Sequence, residues 1–288
     1  MALGRIARNE GYWNESNSYF ERALSMDPRN VELLAHAALN YTMLRQFPTA
    51  LKLYDRALDI VPNDPELVAS QAGIYQAQGN LKEAAKLLPE INEQTTSEEA
   101  FYVKIAQMRL ERHLGEAVRL MQARLVQFHF FSEVEKADYQ SMLPFLQRLA
   151  GDSAGASVAA KQARDELEAV KTEPELSLLD DLALTYAVMG EEDSALKAVE
   201  RSVMRQPAKD RVNGPNHEEC LALIQMIVGE NGRAISILTQ LLQTPYPGSL
   251  YGGPVTSALL RLDPIWDPLR GDPAFQKLCE EKQTPATP

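Results

Sequence analysis

Four histidines, two cysteines and several short acidic runs are the side chains from which this chain could build chemistry. His217-Glu218-Glu219-Cys220 has the outline of a metal motif. A helical zinc site, however, needs two histidines one turn apart, so that both ring nitrogens reach one ion. The fourth position here is Cys220, no third ligand is identifiable, and no metal is expected. His129 stands among Phe128, Phe130 and Phe131 and reads as a core or partly buried ring rather than a base. Asp180-Asp181 and Glu191-Glu192-Asp193 read as solvated faces of helices and turns. Acid–base work by two carboxyls needs a cleft with two unlike environments, which spacing alone does not supply. No Ser-His-Asp or Cys-His set carries a nucleophile signature. There is no phosphate loop of the Gly-x-x-x-x-Gly-Lys type. The expectation is a chain with no catalytic residues and no cofactor.

Such side chains need elements to hold them, and the composition says what kind. The 288 residues are 45% hydrophobic and 24% charged, enough to bury a large core without disulfides or metal. Against 40 Asp and Glu there are 29 Lys and Arg, a net charge of −11. That excess repels phosphate backbones and anionic lipid, so neither nucleic acid nor a membrane surface is an expected partner. Cys220 and Cys279 read as ordinary thiols of a reducing compartment. The first 13 residues carry Arg5, Arg8 and Glu10 without an apolar run, and no stretch reaches the roughly 18 apolar residues of a membrane span. A cytoplasmic location is expected.

A repeat dominates the chain. At an offset of 34, Ala23-Leu24-Ser25-Met26-Asp27-Pro28 falls on Ala57-Leu58-Asp59-Ile60-Val61-Pro62. The same offset joins Gly4 to Ala38, Phe20 to Tyr54, Tyr41 to Tyr75 and Ala50 to Ala84. This pattern resembles the tetratricopeptide repeat, with small residues at positions eight and twenty, aromatics at eleven and twenty-four, Ala at twenty-seven and Pro at thirty-two. The unit over residues 31–64 matches closely through Ala37-Ala38, Tyr41, Ala50, Tyr54, Ala57 and Pro62. The first unit has Ser16 where Ala is usual, and in the third Pro89 should end the second helix early. Weaker units follow over residues 97–128, 134–170 and 217–244, while 176–207 again matches well through Leu182-Ala183, Tyr186, Gly190, Ala195 and Pro207, making seven helical pairs. What the resemblance implies is an all-α fold: an α-solenoid of helix-turn-helix units in a right-handed superhelix, closed by a C-terminal capping segment.

Two domains are expected, a solenoid over 1–244 and a Pro/Gly loop with a helical cap over 245–288. A polar turn is expected over residues 209–216, around Asn213-Gly214-Pro215. Pro245, Pro247, Gly248, Gly252, Gly253 and Pro254 mark a loop that reads either as a passive link or as a docking element. Beyond it stand Asp263-Pro264, Asp267-Pro268 and Asp272-Pro273, each a helix-start signal. A last helix is expected over residues 273–282, with Trp266, Leu269, Phe275 and Leu278 covering the end of the stack. This closing run resembles the end of the C-terminal repeat regions of bacterial eukaryotic-type serine/threonine kinases, winged-helix regulators and nucleotide cyclases. No kinase loop or His-Arg-Asp is present, so no catalysis is carried over. Because Met1 falls inside the first repeat helix, the chain reads as a fragment or one whose natural start lies upstream.

In the resembled family, positions two, five, six, nine, twelve and thirteen of each unit face a concave groove. The candidate groove residues are Glu32, His36, Leu39 and Met43, then Glu66, Ser70 and Gln76, then Tyr102, Val103 and Arg109. Chaperone-binding members clamp a C-terminal carboxylate with basic side chains. Here Arg5, His36, Glu66 and Ser70 stand at comparable places, and Glu66 would repel such a ligand. The function implied is a non-catalytic scaffold that binds a peptide, another protein or a domain of its own parent chain through the concave face. The alternative is a small-molecule sensor or enzyme site in residues 128–170 or beside the 245–254 loop; homo-oligomerisation is a third reading.

Overall fold

Asn30, Asp64, Ser97, Ser132 and Asp152 each turn a side-chain oxygen back onto the amides of the helix that follows. Each cap satisfies donors that the helix itself leaves unpaired. In the computed structural model, which describes residues 1–169, 176–207 and 210–281, these starts open a series of antiparallel helical pairs. They are α1 (Ala2–Asn9) with α2 (Trp13–Met26), α3 (Val31–Met43) with α4 (Phe47–Leu58), and α5 (Pro65–Ala77) with α6 (Leu81–Leu87). Next come α7 (Glu98–Leu110) with α8 (Leu114–Gln127), and α9 (Glu133–Leu149) with α10 (Ser153–Glu168). The last two are α11 (Leu176–Met189) with α12 (Glu192–Arg205), and α13 (Gly214–Ile227) with α14 (Asn231–Leu241). No strand occurs among the described residues, and no helix there is long and apolar enough to cross a membrane. Val170, Lys209 and Lys282, which bound three of the expected segments, lie outside the described residues.

Small residues set the packing. A Cβ on Gly4 would stand 2.9 Å from the Phe20 ring, and Ala38, Ala50, Ala57, Ala84 and Ala195 are wholly buried. Each pair then packs on the next, α2 on α3, α4 on α5, α8 on α9, α10 on α11 and α12 on α13. Ser16 replaces the usual Ala without leaving a polar orphan: its hydroxyl donates to the Gly4 carbonyl at 2.7 Å and accepts from Asn40 Nδ2 at 2.5 Å. The second helix of the third pair stops at Leu87, two residues before Pro89.

The turn inside each pair needs one left-handed residue. Gly11, Gly79, Gly151, Gly190 and Gly229 supply it in five pairs, with φ from +76° to +89°. In the second and fourth pairs the same place is taken by Arg45 (φ 56°) and Arg112 (φ 61°), at a cost of about 1 kcal/mol each.

The array curls until its ends meet. The Arg211 amide donates to the Asn9 carbonyl at 2.8 Å, and Val212 packs with Trp13, Met43 and Leu44. A turn at 211–213 precedes α13, with Asn213 before the helix and Gly214 and Pro215 as its first residues. Beyond α14, residues 245–256 run along the inner face to α15 (Ser257–Leu262), a 3-10 helix (Pro264–Leu269) and α16 (Pro273–Glu280). Asp263 and Asp272 cap the two helices that follow them, as expected. Asp267-Pro268 starts nothing: it lies within the 3-10 helix, and its carboxylate is bound by Arg112 at 2.8 and 3.0 Å and by Arg270 at 2.6 Å. Trp266, Leu269, Phe275 and Leu278 are buried, α16 resting on α14 and the 3-10 helix on α13.

Candidate ligand-binding cavity on the inner face

The Pro/Gly loop is no passive link. Tyr246 and Val255 are fully buried, and the Gly252 carbonyl comes so close to α5 that a Cβ on Gly73 would lie 2.5 Å from it. Arg45, on its strained turn, donates to the carbonyls of Leu241, Thr244 and Val255 at 2.9 Å or near it, gathering the end of α14 and both ends of the loop. Burial lowers its pKa to about 10, which leaves it charged at neutral pH. Glu219 on α13 accepts from the Ser249 amide at 2.8 Å and its hydroxyl at 3.0 Å. Burial raises that carboxyl to about 7. Thr256 ties the start of α15 to the Ala77 carbonyl at the end of α5, at 2.6 Å.

Part of the expected groove is therefore filled by the chain itself. Met43 is buried under Trp13 and Val212, with Leu39 half-buried beside it. Gln76 is buried and donates to the Val103 carbonyl and to Gln107, both at 3.0 Å. Arg109 is buried, its Nε on Asp263 at 2.9 Å, its Nη2 on the Leu250 carbonyl at 2.9 Å and its guanidinium over the Tyr251 ring at 5.3 Å. Burial opposes the Arg109 charge, but Asp263 and Tyr251 outweigh it and leave the pKa above the ordinary value. Glu32 and Glu66 stay exposed at one rim. His36 lies 3.8 Å from Glu32 and stacks on Phe20, its pKa lowered by burial and by Arg8. Ser70 donates to Glu99 at 3.2 Å.

What the loop leaves open is a cavity of about 370 Å³, lined by the first helices of the fourth to seventh pairs and by residues 248–252. Of the ten expected groove residues, Tyr102, Val103 and Arg109 line it. The others in its wall include Glu99 from α7, Asp138 and Met142 from α9, Ser177, Asp180, Asp181 and Leu184 from α11, and Cys220 and Leu223 from α13. Asp180 and Asp181 thus face inward, not into solvent as expected. Asp180 Oδ2 stands 2.6 Å from His217 Nδ1, and its Oδ1 accepts from Ser202 at 2.5 Å. Asp181 accepts from Ser141 at 2.7 Å and shares a hydrogen bond with Asp138; burial and the Asp138 charge push its carboxyl well above the usual range. His129, by contrast, is exposed. Its neighbours Phe128 and Phe130 fold over the buried Arg124 guanidinium instead, at 3.8 and 6.0 Å. No three His, Cys, Asp or Glu among the described residues are grouped to hold a metal ion.

The α11 wall was within reach of the repeat register. With Ala183 at position eight, Ser177, Asp180, Asp181 and Leu184 fall at positions two, five, six and nine. In the seventh unit, Ala222 at position eight likewise turns Glu219, Cys220 and Leu223 inward.

A solenoid of helical hairpins with a ligand-sized inner cavity is the class that this geometry defines. Residues 1–32 and 41–105 match family models described as tetratricopeptide repeat. Over these two stretches the chain carries tetratricopeptide repeats. Solved structures with the same fold include a tetratricopeptide repeat protein from Parabacteroides merdae ATCC 43184, at 20% identity and a TM-score of 0.55 over 78% of this chain and 82% of that one. PilW, a widely conserved type IV pilus biogenesis factor, matches at 15% identity and a TM-score of 0.50, over 72% and 93% of the two chains. The human IFIT1 dimer with m7Gppp-AAAA matches at 17% identity and 0.51, over 79% of this chain and 53% of that one. At these identities the likeness is one of fold. No protein of curated function matches the chain.

Proposed function

We propose that the chain is a non-catalytic interaction scaffold that holds a segment of a partner protein on the open stretch of its concave face, as a regulatory module of a larger bacterial signalling or transcription-regulating protein. In this reading residues 1–244 are the recognising solenoid and residues 245–288 a built-in strap. The supporting observation is the cavity itself: four first helices and the strap wall a space of about 370 Å³ with apolar side chains and a few convergent carboxyls. The bound RNA of human IFIT1 does not transfer, because the carboxyls in this wall would repel phosphate.

A photo-crosslinking residue at Met142, in the cavity, should give a defined partner adduct. One at the exposed Val158 of α10 should not. Equal adducts from both positions would move the site elsewhere. Glu32→Lys with Glu66→Lys weakens capture if the partner also crosses that rim. A second reading, a small-molecule sensor, draws on the same cavity, whose volume lies within the range of roughly 300–1,000 Å³ usual for ligand pockets.

A further inference from the structure

We infer that the cavity takes a cation, an amine or guanidinium on a short apolar stem, carried either by a free small molecule or by the Lys or Arg side chain of a bound peptide. This rests on the cavity being the binding site. Its walls are apolar where a stem would lie, with Val103, Met142, Leu184 and Leu223, and they include the rings of Tyr102, one face of which stacks on Tyr139 at 5.0 Å, and of Tyr251, one face of which takes Arg109. Aromatic faces and carboxylates are the two groups that stabilise a desolvated organic cation. The cations near the wall are already spent. Arg109 is held by Asp263 and the Leu250 carbonyl, Arg45 by three carbonyls, and His217 stands against Asp180. An anionic ligand would therefore meet carboxyls without a free counter-charge, whereas a cationic one would supply what they lack.

The anchor is the pair Asp138 and Asp181. Asp180 has both oxygens engaged, by His217 and Ser202, and Glu99 accepts from Ser70. Two carboxyls in hydrogen-bond contact do not both ionise, so a proton lies between them. A bound ammonium or guanidinium takes over the work of that proton: it leaves, both carboxyls become charged, and each faces the ligand. Among the described residues no three ligating side chains are grouped for a metal ion, so the fit is to an organic cation rather than a bare metal. The charged and titratable groups facing Asp181 are Tyr102 from α7, Asp138 from α9, Asp180 from its own helix and Cys220 from α13, with His217 held one step away on Asp180. Acidic groups dominate this set. Affinity for the cation should therefore rise with pH, with uptake of the cation releasing a proton.

The test is calorimetric titration of the full chain with matched pairs: benzylamine against benzyl alcohol, and an acetylated apolar pentapeptide with a central Arg against the same peptide with citrulline. The cationic member of at least one pair should bind at least about tenfold more tightly, a difference of about 1.4 kcal/mol. Its heat should change with the buffer's ionisation enthalpy in the sense of proton release. Asp181→Asn and Asp138→Asn, each of which leaves an amide that can donate to the remaining carboxyl, should each abolish that preference. Equal binding within both pairs, no binding of either cation at millimolar concentration, or an unchanged preference in both variants would overturn the inference. Binding of benzylamine without the Arg peptide would uphold it while removing the scaffold reading. Equal capture of the Arg and citrulline peptides, with no preference for benzylamine, would remove the inference and leave the scaffold standing.

Discussion

At the scale of single residues, Glu219 shows how burial turns an ordinary side chain into a pH-sensitive fastening. Its carboxyl is wholly enclosed, reaches the strap through Ser249, and has a pKa of about 7 against an unfolded value of about 4.3. The folded state therefore prefers the protonated form. The stability that this group contributes is fully present below about pH 4.3 and is lost as pH rises through 7. Glu219→Gln keeps an acceptor for the Ser249 amide and removes the buried charge. It should raise stability at pH 8 by on the order of 1–3 kcal/mol and change little at pH 4.5, as read from urea melts at the two pH values. A gain of equal size at both would mean that the charge is not what limits this site.

At the scale of helical elements, stability comes from pairs whose small residues let two backbones approach. Ala84 and Ala195 sit at the same step of the third and sixth pairs, and both are fully buried. Ala84→Trp and Ala195→Trp should each overpack a pair and lower unfolding free energy by on the order of 1–3 kcal/mol or more. Two neutral melts would mean that the pairs do not meet at these residues. The element scale was also the most legible in the sequence. Asp263 and Asp272 announce helix starts because a cap is a contact within four residues, and Pro89 announces a stop for the same local reason. Asp267 shows the limit. Asp-Pro looks alike at 263, 267 and 272, yet only the first and last cap helices, because Arg112, 155 residues away in sequence, takes the carboxylate of the middle one.

At the scale of the whole molecule, the solenoid is locked by arginines standing where glycine is usual. Arg45 and Arg112 hold left-handed turns that glycine would adopt without strain, and both reach the C-terminal segment. Their losses should differ. Arg112→Gly relieves about 1 kcal/mol of backbone strain and gives up an exposed ion pair worth about 0–1 kcal/mol, so its melt should lie within about 0.5 kcal/mol of the parent. Arg45→Gly gains the same relief but leaves three carbonyls without their donor in a buried place. It should cost about 2 kcal/mol or more and release the strap, seen as faster hydrogen exchange at residues 249–256. Equal melts for the two variants would place the lock elsewhere.

The repeat, the helix starts, the small-residue contacts and the inward register of Tyr102 and Val103 were all written in the chain, because each follows from neighbours within one or two helical turns. It took the folded arrangement of all the pairs to show that this face is partly filled, that Asp180 and Asp181 line the inner cavity, and that His129 stays in solvent. Whether a stack of hairpins stays open or curls onto its own end depends on small rotations accumulated over all the interfaces. The segment that then enters the channel, at Tyr246 to Thr256, meets helices about 200 residues earlier in the chain, with no local signal to announce the meeting.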